Sequence, residues 1–238
     1  VLVRFDGSDT LEIGDPNIIT ESNVNDTITI SRIEFINSQY YGEGSLALFT
    51  ARINDFAGYT KIGTPSANQI KIDQTGPIMD SIAVESDNLY SNQGAKYGDD
   101  VSVTFHPQEE IMTPFVLIAG DTADNITRIG DNWIATRTMQ VTDVEGVVSF
   151  NFTPYDLAGN PGGASTQSTN NSRVILDNSS PFINYLYECS AIEDKDFTPS
   201  TDSLRLGMDG GDLLSGVLRF GFAVGTSPGV GNVIPWAE

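Results

Sequence analysis

A stretch of about one hundred residues is used twice in this chain, and that repetition constrains the fold more than any other feature. Val1-Leu2-Val3-Arg4-Phe5 returns as Val101-Ser102-Val103-Thr104-Phe105 at an offset of 100, with valine, valine and phenylalanine at alternate positions. Glu43-Gly44 answers Glu145-Gly146, and the apolar-rich runs 46–53 and 147–152 follow them. Asp55-Phe56-Ala57-Gly58 then returns as Asp156-Leu157-Ala158-Gly159 at an offset of 101. Finally Ile70-Lys71-Ile72-Asp73 before Gly76-Pro77 answers Val174-Ile175-Leu176-Asp177 before Ser180-Pro181, at an offset of 104. The drift in offset places small insertions in loops, where they cost little.

Alternation of apolar and polar residues is the period of a half-buried strand. Beyond the repeated anchors, residues 28–35, 81–85, 114–119, 133–139 and 147–152 read as strands separated by Gly, Asn, Asp and Pro clusters, with no helical run. Many short strands with regular turn signals predict an all-β chain of sandwich units, roughly 100 residues each. Pro77 and Pro181 each follow a strand and polar turn residues and precede a fresh apolar segment, so they mark the unit boundaries. The expected units are 1–76, lacking the counterpart of 77–100 and therefore its opening strand; 77–180, complete; and 181–238, too short to close a sandwich of the same size.

An apolar strand, then Asp156-Leu157-Ala158-Gly159-Asn160, then a strand ending in Asp177 and a Pro-led linker, resembles the bacterial immunoglobulin-like repeats of large surface adhesins. The resemblance implies tandem immunoglobulin-like β-sandwiches of Greek-key type. It also implies that the aspartate and glycine shape the hairpin between the last two strands, and that linker acids hold calcium between units. The first copy departs from the pattern, with Tyr59 where the second has Asn160. In the last unit, Asp212-Leu213-Leu214-Ser215-Gly216-Val217, the alternating Phe220, Phe222 and Val224, and then Gly225-Thr226-Ser227-Pro228-Gly229 and Trp236 resemble a fibronectin type III-like module, with a divergent immunoglobulin-like unit as the alternative.

Charge narrows the partners. Twelve Lys and Arg stand against 32 Asp and Glu, a formal charge of −20, which argues against nucleic acid because phosphate binding needs clustered cations. The acids are dispersed, as suits solvated loops or oxygen ligands for a hard cation. A hydrophobic content of 39% supports packed cores rather than wholesale disorder. The single cysteine, Cys189, excludes an internal disulfide framework. No apolar run approaches the roughly 18 residues of a membrane-crossing helix. Without an initiator Met or a basic-then-apolar leader, the chain is expected to be cut from a longer product.

Catalytic constellations are sparse. His106 is the only histidine, which removes His-based metal clusters, and beside Pro107 it reads as a strand-edge residue. Cys189 reads as a small buried hydrophobe. Neighbouring carboxylates such as Glu109-Glu110 and Asp99-Asp100 do not converge on one glycosidic bond without a cleft around them. The segment Gly207-Met208-Asp209-Gly210-Gly211 lacks the spacing of a nucleotide-binding loop and reads as a flexible turn. No enzymatic activity is expected from these residues.

Calcium is the one cofactor with a physical case, since it takes six to eight oxygens that adjoining loops can pool. The expected ligands are Asp73, Asp80, Asp99 and Asp100 at the first junction and Asp177, Asn178 and Asn184 at the second. The competing explanation is that these residues form turns through side-chain-to-backbone hydrogen bonds. Asn-X-Ser/Thr sequons stand at Asn25, Asn125, Asn151, Asn170 and Asn178. The expected function is an extracellular or cell-surface structural and adhesive repeat region, a rigid spacer whose partners are neighbouring repeats or protomers, with glycan or protein surface ligands. One alternative is a filament or sheath subunit completed by strand exchange with neighbours. Another is a set of accessory glycan-binding modules of a secreted enzyme, for which Tyr40, Tyr41, Tyr90 and Tyr97 are the residues to inspect.

Overall fold

The computed structural model describes residues 2–5, 11–12, 41–188, 203, 205–227 and 229–237. Among them the regular structure is entirely β, with no helix and therefore no helix long and apolar enough to cross a membrane. The chain divides into two compact units. One comprises residues 1–77, 109–112 and 154–163; the other comprises 78–108, 113–153 and 164–238. The expected strands at 28–35, Tyr40, Asn25 and Cys189 lie outside the described residues.

In the first unit β1 (Leu2–Phe5), β2 (Leu11–Glu12), β3 (Leu46–Thr50) and β6 (Ile70–Lys71) form one sheet in the order β2-β1-β3-β6. The apolar run at 46–53 is divided: β3 ends at Thr50, and β4 (Arg52–Asn54) turns away to pair with β5 (Thr60–Ile62). The turn between them is Asp55-Phe56-Ala57-Gly58, in which Asp55 Oδ1 accepts the N–H groups of Ala57 and Tyr59 at 2.9 and 2.8 Å. Gly58 takes φ +90° there, a conformation that a side chain opposes.

The second unit has more strands and a denser core. β7 (Met79–Ser86), β9 (Asp100–Pro107), β12 (Asn125–Ile129) and β13 (Asn132–Thr138) form a sheet in the order β12-β13-β9-β7. β10 (Val116–Ile118), β11 (Asp121–Thr122) and β15 (Phe150–Phe152) form another, and β8 (Gly94–Ala95), β14 (Gly146–Val147) and β16 (Ile175–Leu176) a third. Alternation along β9 buries Val101, Val103 and Phe105 completely, and Phe105 stacks on Phe152 of the facing sheet with ring centroids 4.3 Å apart. Arg137, 4% exposed, is held inside by a two-pronged ion pair with Asp143 at 2.7 and 2.9 Å. Farther along, β17 (Phe182–Glu188) pairs with β18 (Leu206–Gly211), and β19 (Phe222–Val224) with β20 (Ile234–Ala237).

One particular differs from the sequence reading. The glycine-rich segment 207–211 is strand rather than flexible turn: Gly210 faces Phe182 so closely that a Cβ would stand 2.5 Å from its carbonyl oxygen. The small residues there permit close backbone pairing. His106, read as a strand-edge residue, is the penultimate residue of β9, past its last pair with β13, and its Nδ1 lies 3.2 Å from Asn132 Oδ1.

The repeat is only partly a repeat of pairing. β3 pairs with β6 as β14 pairs with β16. β1, however, lies between β2 and β3, whereas its sequence counterpart β9 lies between β7 and β13. β15 therefore faces β9 from the other sheet.

Candidate functional site

The aspartate that follows each repeat's last strand, Asp73 after β6 and Asp177 after β16, is anchored in the same way twice. Glu43 Oε2 accepts the N–H of Gln74 at 2.7 Å, and Glu145 Oε1 accepts that of Asn178 at 2.7 Å. Asp73 Oδ1 accepts the N–H of Thr75, and Asp177 Oδ1 that of Ser179. The Glu-Gly anchors thus cap the backbone that leaves the strand, a role the sequence comparison did not assign to them.

Each of these aspartates also meets an aspartate-led loop. In the first unit Asn160 donates its side-chain N–H to the Asp73 carbonyl at 3.0 Å and to Asp156 Oδ2 at 2.8 Å, while Asp156 Oδ1 accepts the Asn160 backbone N–H. In the second unit the N–H of Ser215 is shared by Asp177 Oδ2 at 3.0 Å and Asp212 Oδ1 at 2.8 Å. Asp212 also accepts the N–H groups of Leu214 and Gly216. Tyr59, in the place corresponding to Asn160, keeps only the backbone half of this arrangement.

The first of these places gathers three acids. Carboxylate oxygens of Asp73, Glu109 and Asp156 all lie within 4.8 Å of one another. The segment 109–112 reaches the loop through the Ile111–Asp156 bridge and the Met112 N–H to Tyr155 carbonyl bond. Gly76 comes so near Pro161 that no side chain fits between them. Asp156 is 1% exposed. Burial pushes its carboxyl up, but hydrogen bonds from the Asn160 side chain and from the backbone of Asn160, Gly159 and Ala158 outweigh that and hold it below the usual aspartate range. Glu109 moves the other way: burial first, then Asp73 and Asp156, raise its carboxyl, and Lys71 offsets only part. The acids are thus crowded, with Asp156 stabilised in its charged form and Glu109 opposed in it. An all-oxygen donor set of this kind fits a hard divalent cation rather than a thiophilic metal.

Of the residues expected to ligate calcium, Asp73 joins this cluster. Asp80 accepts from the Gln108 side chain, Asp99 from Asn88 and Lys96, and Asp100 from Thr138. Asn178 Oδ1 accepts the Tyr97 N–H, and Asn184 donates to Asp209. These residues spend their side chains on protein partners in turns and ladders. Glu109 and Asp156, which the sequence reading did not place beside Asp73, stand 36 and 83 positions from it. Tyr90 and Tyr97 are exposed but sit in loops beside β8 rather than on a sheet face, and Tyr41 is half-buried. No family model matches this sequence, and comparison with curated proteins and with solved structures returns no match.

Proposed function

We propose that this chain is a load-bearing repeat region of an extracellular surface protein, built from immunoglobulin-like units in series and acting as a spacer without chemistry of its own. The observation that carries the proposal is the recurring junction. In both repeats a glutamate caps the backbone after the aspartate just past the last strand, and that aspartate itself meets an aspartate-led loop. A serial device built twice from the same residues suits a protein whose work is done by repetition. In this reading Asp73, Glu109 and Asp156 hold calcium, with the Asp73 carbonyl oriented by Asn160. The ion would neutralise three crowded carboxylates and tie the loop to the strand end, which needs no reacting substrate.

Limited proteolysis and surface labelling of intact cells carrying the full gene test the location. The region is expected to be cut by protease added from outside; protection until the cells are lysed would overturn the assignment. For the ion, isothermal titration with calcium is expected to show saturable binding that Asp156→Asn weakens. A flat titration would leave the spacer without its metal.

A further inference from the structure

We infer that the second unit contains a shear clamp, in which residues 79–95 and 169–177 run side by side in the same direction and resist tension applied between residues 78 and 177. This rests on the spacer reading and locates where such a spacer resists force. The contacts step along both segments in the same order and end in a parallel ladder. The N–H of Ile82 donates to Thr169 Oγ1 at 2.9 Å, and the N–H of Thr169 returns to the Ile82 carbonyl at 2.9 Å. The N–H of Val84 donates to Ser172 Oγ at 2.8 Å. Beyond the 87–92 loop, the N–H of Ile175 donates to the Gln93 carbonyl and that of Asp177 to the Ala95 carbonyl, both at 2.8 Å. Ile175 pairs with Gly94 and Leu176 with Ala95, the parallel ladder of β16 on β8.

Direction is what makes this a clamp. Residue 78 stands just before β7 (Met79–Ser86), and Asp177 just after β16 (Ile175–Leu176). In a parallel pair those two points lie at opposite ends of the contact. Tension therefore slides the strands past each other and loads every cross-strand bond together, instead of peeling them one at a time. The loop carrying Thr169 and Ser172 is itself braced, since Ser168 donates to the Ser172 carbonyl at 2.7 Å and the Ser172 N–H donates to Asn170 Oδ1 at 3.0 Å. Fully buried Val174 and Leu176 anchor the exit strand in the core. Antiparallel pairs such as β12 with β13, joined by a short turn, would unzip.

Single-molecule force spectroscopy on the full chain tests this. Handles are placed by cysteine in a Cys189→Ser background, either through Ile78→Cys with Ser180→Cys for end-to-end pulling or through Asn92→Cys with Arg173→Cys for peeling β8 from β16. The expected end-to-end rupture force is several-fold above the peeling force. In the end-to-end geometry, Thr169→Val with Ser172→Ala is expected to lower the rupture force markedly while the circular dichroism spectrum stays native. Peeling forces should change little. Equal forces in the two geometries overturn the clamp while leaving the spacer assignment standing. An end-to-end force that the double variant leaves untouched likewise overturns it. Failure of the spacer assignment would be read separately, from protection of the region on intact cells.

Discussion

Replacing Glu109 by Gln should change stability in opposite directions with and without calcium. Glu109 shares a space with Asp73 and Asp156 in which the carboxylate oxygens lie within 4.8 Å of one another. Two like charges at that distance repel by about 3.5 kcal/mol at an effective dielectric near 20, and by about 0.9 kcal/mol in water-like screening. Glu109 and Asp73 are half-buried and Lys71 approaches Asp73 to 3.8 Å, so the lower end applies and the net relief is about 1 kcal/mol. For a unit of this size that is a rise in Tm of about 4 to 8 °C in the presence of a chelator. The pH dependence has a matching sign. A carboxyl raised in the folded state contributes stability that is present below its unfolded pKa and lost as pH rises through the folded value, so the gain from Gln should vanish in acid. With calcium at about one hundred times its Kd, the native protein should gain about 2.7 kcal/mol. The variant, short of one carboxylate, should gain less. Calorimetric melting of both proteins with chelator and with calcium measures all four values. A lower Tm for the variant in chelator would refute the crowding argument, and an equal calcium-induced rise in both proteins would remove Glu109 from the site.

Two further changes probe the second unit. Asp143→Asn leaves the guanidinium of Arg137, 4% exposed, with Asp121 as its remaining carboxylate partner among the described contacts, and should cost about 3 to 5 kcal/mol by urea unfolding; a loss below about 1 kcal/mol would mean that water replaces the pair. The hydrogen bond from Arg137 holds Asp143 below its usual range against burial, so its contribution is fully present above the unfolded pKa and lost as pH falls through the folded one; native acid unfolding should therefore begin below about pH 4 and be shallower in the variant. Ala119→Asn should stabilise, because Ala119 and Gly120 both take positive φ, 52° and 87°, in the two-residue turn between β10 and β11. That turn geometry favours Asn-Gly, and a gain in stability of about 0.5 to 1 kcal/mol, read as a higher urea midpoint at unchanged slope, is expected; a lower midpoint would show that the alanine methyl is needed where it lies.

The all-β character was written in residues that act locally. Alternation at Val101, Val103 and Phe105 places three side chains on one face whatever the rest of the chain does, and all three are buried. The loops led by Asp55 and Asp156 rest on local contacts as well: the aspartate bonds to backbone within four positions, and the glycine supplies the positive φ. Strand partners were another matter. The sequence offers β1 and β9 as equivalents, but which strand lies beside each depends on which edges are already taken, and β9 has β7 and β13 where β1 has β2 and β3.

The acidic cluster shows the division most plainly. By itself the sequence determined that Asp73 would lie at the close of an apolar segment and that Asp156 would lead a turn with Gly159, because both outcomes depend on neighbours a few residues away. Only the tertiary structure decided that these two would meet Glu109. A contact across 83 positions is fixed by how the intervening strands pair, and like charges brought so close carry no local sequence pattern that announces them.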